Sequence, residues 1–124
     1  EKVTLNIGIG QPGDKLDNPD RIRQSQGLID FFENRGGHVV IGGDFNLLPD
    51  TESIRMFKEN GYRNLIDDFN IKTTRNRLAW ERYPNNKQYH SGYVFVGPSV
   101  RVANFVVPDV EISDHQPLIL DIEC

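Results

Sequence analysis

From Lys2 to Ile9 the apolar residues Val3, Leu5, Ile7 and Ile9 alternate with polar or small ones, the period-two pattern of a strand. Gln11 to Asn18 is a polar loop containing glycine and proline. Asn18 followed by Pro19 reads as an N-cap with proline at the first helical position. The helix then presents Ile22, Leu28, Ile29 and Phe32 on one face and stops at Gly36-Gly37. His38 to Gly43 carries Val39-Val40-Ile41, a short apolar run that breaks into two glycines, as a buried strand entering a loop does. Thr51 is placed to cap a second helix through Ile54, Met56 and Phe57, ended by Asn60-Gly61. Tyr62 to Asp68 predicts a turn or short helix, and Asn70 to Gln88 is polar and irregular. Tyr93 to Val96, Val100 to Val107 and Pro117 to Ile122 predict three further strands.

Val39-Val40-Ile41, Val94-Phe95-Val96 and Leu118-Ile119-Leu120 are apolar at consecutive positions, so both faces of the pleat want covering. The two helices cover one face. The expectation for the other is a second sheet, from another copy in a homodimer or from an amino-terminal half outside these residues. The pattern as a whole predicts an α/β (α+β) chain, one mixed sheet with helices on its outer face.

The 124 residues suit one domain, and 37% hydrophobic with 26% charged residues describes a globular chain. No apolar run reaches the roughly 20 residues that span a bilayer, and no export signal is visible. Because the chain opens at Glu1 without an initiator methionine and is soon in a strand pattern, it is expected to be a piece of something longer. The single cysteine, Cys124, permits no intrachain disulfide or multi-cysteine zinc site, which suits a reducing, cytoplasmic setting. A net charge of −4 and a pI near 5.3 argue against a broad basic face for nucleic acid. One local exception is Arg75, Arg77, Arg82 and Lys87, interleaved with Trp80, Tyr83 and Tyr89, which reads either as a polyanion contact or as a solvated loop.

Two segments carry candidate chemistry. Gly42-Gly43-Asp44-Phe45-Asn46 lies at the carboxyl end of an apolar strand, where ligands gather in α/β sheets and glycines let backbone approach closely. Asp44 and Asn46, two apart, project to one side if the segment is extended. A carboxylate beside an amide can hold a metal-bound water and a phosphoryl oxygen. Asp and Asn after glycine are also common turn formers, and the residues alone leave both readings open. Ser113-Asp114-His115, before the Pro117 strand, offers an acid and an imidazole that suit a cation and a phosphate. A loop acid capping a backbone amide is the plainer alternative.

Gly-Gly-Asp-Phe-Asn-Leu-Leu-Pro at 42–49, Tyr-Val-Phe-Val at 93–96 and Ser-Asp-His-Gln-Pro-Leu at 113–118 together resemble the last three signature blocks of the endonuclease/exonuclease/phosphatase family, in their usual order. The stretch from Val3 to Arg35 is similar to the family's lead into the first block, so the likeness covers nearly the whole chain. The resemblance implies residues 1–124 as the carboxyl-terminal half of a DNase I-like two-sheet sandwich. It also implies a phosphoesterase acting with Mg²⁺ or Mn²⁺ on phosphodiesters or phosphomonoesters, nucleic acid among the candidate substrates. By the same resemblance, Asp44 orients or activates water, Asn46 holds the scissile phosphate, Asp114 assists the metal or nucleophile, and His115 stabilises the phosphoryl group or moves a proton. Asp44 and Asp114 are then the metal ligands. A hard cation of this kind keeps several waters and needs few carboxylates.

The chain departs from the family pattern at three places. The amino-terminal half with its metal-binding Glu is absent, Gly8 stands where the family has histidine, and Gly92 stands where it has the aspartate that orients the site histidine. These departures predict weak or no turnover by the 124 residues alone. They keep a rival in play, a non-catalytic phosphate-binding or protein-interaction module on the same scaffold. Gly8-Ile9-Gly10-Gln11-Pro12-Gly13 formally matches a dinucleotide fingerprint, but no helix follows it until Pro19. His38 and His90 read as solvated histidines rather than ligands.

Overall fold

The computed structural model describes residues 3–9, 16–33, 37–82, 84–85 and 88–123. Along the chain these form β1 (Val3–Ile9), α1 (Pro19–Glu33), β2 (His38–Asp44), α2 (Glu52–Glu59), β3 (Arg63–Asn64), α3 (Leu65–Asp68), α4 (Arg77–Arg82), β4 (Gly92–Val96), β5 (Arg101–Val106) and β6 (Ile119–Glu123). The first four strands make a mixed sheet in the order β1-β2-β4-β3, with β1 parallel to β2 and β4 antiparallel to both its neighbours. β5 and β6 pair antiparallel as a separate two-stranded ribbon. The fingerprint glycines Gly10 and Gly13, with Tyr83, Lys87 and Cys124, lie outside the described residues.

β4 holds the centre because every residue of it is buried. Tyr93 and Phe95 face α2, where Phe95 stacks on Phe57 at 4.2 Å and Phe45 meets Tyr93, Phe57 and Phe95 edge-on. The opposite face of β4, which carries Gly92, looks toward Leu118, and Val102, Leu120 and Ile122 of the ribbon pack on the same core. The ribbon, which belongs to this chain itself, thus contributes to the layer expected from a second copy or an amino-terminal half, and the Leu118–Leu120 run, expected to be covered on both faces, leaves Ile119 exposed. Its own outer side leaves Val106 and Ile119 exposed at paired positions.

Asn18 caps α1 as its position requires, its side-chain oxygen accepting the Arg21 N–H at 2.9 Å. The buried stripe of α1 is Arg21, Ser25, Ile29 and Phe32, with Ile22 and Leu28 only partly covered. α2 departs from expectation in how it is capped. Thr51 occupies the N-cap, yet its hydroxyl donates to the Leu48 carbonyl and caps nothing. The orphan N–H groups of Glu52 and Ser53 are taken instead by the Asp17 carboxylate, at 2.5 and 2.9 Å, from the loop before α1. Burial alone would raise the Asp17 carboxyl, but these bonds and one from the Ser53 hydroxyl hold it below its ordinary value.

Candidate active site

Asp44 is the last residue of β2, flanked in register by Ile9 of β1 and Gly92 of β4. The chain then leaves the sheet. Asn46 adopts the left-handed conformation at φ 49°, and its N–H donates to Asp44 Oδ1 at 2.9 Å. Of the two readings that the residues left open, the structure has the turn, in which the carboxylate caps the amide two residues on. The turn is pinned from three sides. Phe45 and Asn46 both donate their N–H to the Ser91 carbonyl, the buried Arg21 donates to the Asn46 carbonyl at 2.9 Å, and the Tyr93 hydroxyl donates to the Leu47 carbonyl at 2.7 Å. Burial first, and then Asp50, pushes the Tyr93 phenol far up, so it remains a neutral donor.

The Ser113-Asp114-His115 loop is brought to this turn by the stretch read from sequence as irregular. Arg75 forms an antiparallel bridge with His115, the Gln116 N–H donates to the Thr74 carbonyl, and the buried Asn76 amide donates to the carbonyls of Val110 and Ser113. Thr74 also reaches β4, its hydroxyl accepting the N–H groups of Ser91 and Gly92. Thr74 to Asn76 thereby ties the loop before β4 to the loop before β6.

The outcome is that His115 Nε2 lies 3.6 Å from Asp44 Oδ2, although the two residues are 71 positions apart in the chain. Both side chains are open to a solute, at 39% and 44% exposure. His115 Nδ1 faces the Ser91 hydroxyl at 3.3 Å. Asp114 turns to a different partner, Arg75, whose Nη2 is 3.3 Å from Oδ2, with Arg82 at 4.0 Å. Gly8 pairs with Gly43, beside Asp44. At Gly92 an added Cβ would meet Leu118 Cδ1 at 3.2 Å, a contact that Leu118 would have to yield slightly to admit.

Asp44 fits a hard cation as a single accessible carboxylate. Asp114 is paired with Arg75 through Oδ2, and among the described residues no three His, Cys, Asp or Glu side chains form a group that could hold a metal ion.

Arg21, Thr74 and Ser91 escaped the sequence reading, and Arg75, read there as a polyanion contact or a solvated residue, is instead buried against Asp114. Arg21 and Ser25 did leave a signal, polar residues four apart on the helix face that also carries Ile29 and Phe32. The basic stretch is largely committed to internal pairs. Arg77 binds Glu111 and Glu81, and its hydrogen bonds hold the Glu111 carboxyl below the usual range. Trp80 and Tyr89 contact each other, with Trp80 Nε1 donating to the Gln88 carbonyl. His90 faces the Ile71 carbonyl and His38 the Ser99 hydroxyl, neither within a ligand cluster.

The profile of the Endonuclease/Exonuclease/phosphatase family matches residues 5–115. Among solved structures, mannosyl-6-phosphatase from Bacteroides thetaiotaomicron VPI-5482 superposes with a TM-score of 0.60 at 17% identity, over 90% of this chain and 48% of that one. An endonuclease/exonuclease/phosphatase family protein from Bacteroides thetaiotaomicron gives 0.59 at 14% identity, over 95% of this chain and 47% of that one. At these identities the likeness speaks for the fold, and the chain spans about half the length of either structure. No curated protein matches the chain. No helix among the described residues is long and apolar enough to cross a membrane.

Proposed function

Because the chain belongs to the endonuclease/exonuclease/phosphatase family, we propose that it contributes the Asp44, Asn46, Asp114 and His115 side of a site that hydrolyses phosphate esters. The observation that carries this reading is the 3.6 Å approach of His115 to Asp44 at the rim of the sheet. Asp44, with Oδ1 accepting the Asn46 N–H and Oδ2 3.6 Å from His115 Nε2, orients the attacking water and takes its proton. The Asn46 side chain and His115 Nε2 hold phosphoryl oxygens, and Arg75 fixes Asp114. When bound, Mg²⁺ or Mn²⁺ would be held on this chain by Asp44 and would supply charge neutralisation at the phosphoryl oxygens. As the chain spans half of its structural neighbours, we propose that the 124 residues alone turn over substrate weakly.

The test is phosphate or nitrophenol release from nitrophenyl phosphate, bis(nitrophenyl) phosphate and a hexose 6-phosphate, each with Mg²⁺, Mn²⁺ or a chelator. Asp44→Asn and His115→Asn should each cut the rate by about 100-fold or more. Variants as active as the parent would end the proposal. A second reading, phosphate binding without turnover, draws on the Asp114 carboxylate being already committed to Arg75. It predicts phosphate-induced amide shifts around Asn46 and His115 with no product formed.

A further inference from the structure

We infer that a cleft beside the Asn46 turn, lined by Arg55, Lys58 and Lys72, receives a second phosphate of the substrate, so that the ester cleaved at Asp44 is a small molecule phosphorylated twice. The inference rests on the site reading above and names its substrate class. The cleft has a volume of about 500 Å³, in the range of small-ligand pockets. Its lining sets three cations against a single carboxylate, Asp67, in a chain whose formal net charge is −4.

Arg55 and Lys58 stand three apart on α2 and therefore share a face. Lys72 comes to them from a segment whose backbone is fixed. Asn70 takes the left-handed conformation at φ 53°, the Ile71 N–H donates to the Ile66 carbonyl at 2.9 Å, and His90 Nε2 donates to the Ile71 carbonyl at 2.8 Å. The partners of the three cations are themselves exposed. Arg55 meets Glu52 at 3.3 Å, Lys58 meets Asp67 at 3.9 Å, and Lys72 donates to the Asn70 side chain at 3.2 Å. Surface pairs of this kind contribute little, so a phosphate takes the cations over at small cost.

Two segments join the cleft to the site. Pro49, on its wall, follows Asn46 by three residues, a span of at most about 11 Å. His90, also on the wall, precedes Ser91, whose carbonyl accepts the Asn46 N–H at 3.2 Å. A substrate held at Asn46 by one phosphate thus offers its second to the cleft at a high effective concentration.

Binding to the parent protein with Mg²⁺ is followed by amide ¹⁵N–¹H spectra, and phosphate release in the same samples by ³¹P spectra. Glucose 1,6-bisphosphate should shift the amides of Arg55, Lys58 and Lys72 together with those of Asn46 and His115, and should bind about ten-fold more tightly than glucose 6-phosphate. Lys58→Gln combined with Lys72→Gln should erase that advantage and leave the remaining spectrum native, since both side chains are exposed. Lys58→Arg with Lys72→Arg should retain it. A bisphosphate that binds no more tightly than the monophosphate overturns the inference, and so does an advantage that survives in the double Gln variant. A tetrathymidylate that binds more tightly than the bisphosphate overturns the small-molecule class. Failure of the site reading has its own signature: no phosphate released and no shift at Asn46 and His115, with the cleft shifts and their loss in the double Gln variant retained.

Discussion

Substituting Arg75 by methionine removes the cation that holds Asp114 while keeping much of the buried stem. The Arg75 side chain is 10% exposed and its partner 25%, with Nη2 at 3.3 Å from Asp114 Oδ2 and Nη1 at 3.3 Å from Gln88 Oε1. At that separation and an effective dielectric near 20, the gross attraction is about 5 kcal/mol. Desolvation of both ions cancels much of it, and removing one partner of a buried pair typically costs about 3–5 kcal/mol. Partial exposure of Asp114, and Arg82 at 4.0 Å, place the expected loss at about 2–3 kcal/mol. Asp114→Asn alone should cost about 1–2 kcal/mol. The double variant should be more stable than the sum of the two single losses implies, by about 1.5 kcal/mol. Urea denaturation at neutral pH measures all four corners of the cycle, and repeating it in 1 M salt should change the coupling little, since a half-buried pair is poorly screened. A coupling under about 0.5 kcal/mol would show that Asp114 is not held by Arg75.

Three further outcomes follow from the packing. Asp17→Asn weakens the cap of α2 and should cost about 1–2 kcal/mol at pH 7; because the folded carboxyl sits below its ordinary value, the parent's advantage exists above the unfolded pKa and disappears as pH falls through the folded one. Equal differences between parent and variant at pH 7 and near pH 2 by urea denaturation would contradict that sign. Phe57→Ala empties the centre of the aromatic cluster, where Phe57 is 0% exposed, and should lower stability by about 3–5 kcal/mol. Gly92→Ala should cost about 1 kcal/mol by pressing on Leu118, and Leu118→Ala introduced with it should remove that extra penalty; a penalty that persists would place the strain elsewhere.

Several residues of the candidate site were legible because their signals are local. Asp44, Asn46, Asp114 and His115 stand beside apolar runs and glycine or proline punctuation, and the family likeness of those segments follows from a few contiguous letters. The polar stretch from Asn70 to Gln88 gave no such signal. Its Thr74, Arg75 and Asn76 act through hydrogen bonds to partners 13 to 42 positions away, a range at which no periodicity operates. The same blindness concealed the cap of α2, where the near candidate Thr51 yields to Asp17, 35 positions upstream of Glu52.

The amino-acid order by itself determined where the main strands and the two longer helices lie, since period, capping and turn chemistry are settled within about four residues. It also determined which side chains are chemically able to handle a phosphate. Tertiary structure decided which of them meet. Pairing of β2 with β4 sets Ser91 under the Asp44 turn, and the bridge from Arg75 carries His115 onto the same rim. Strand register and buried hydrogen bonds, which join segments remote in the chain, therefore put His115 beside Asp44 and Asp114 beside Arg75.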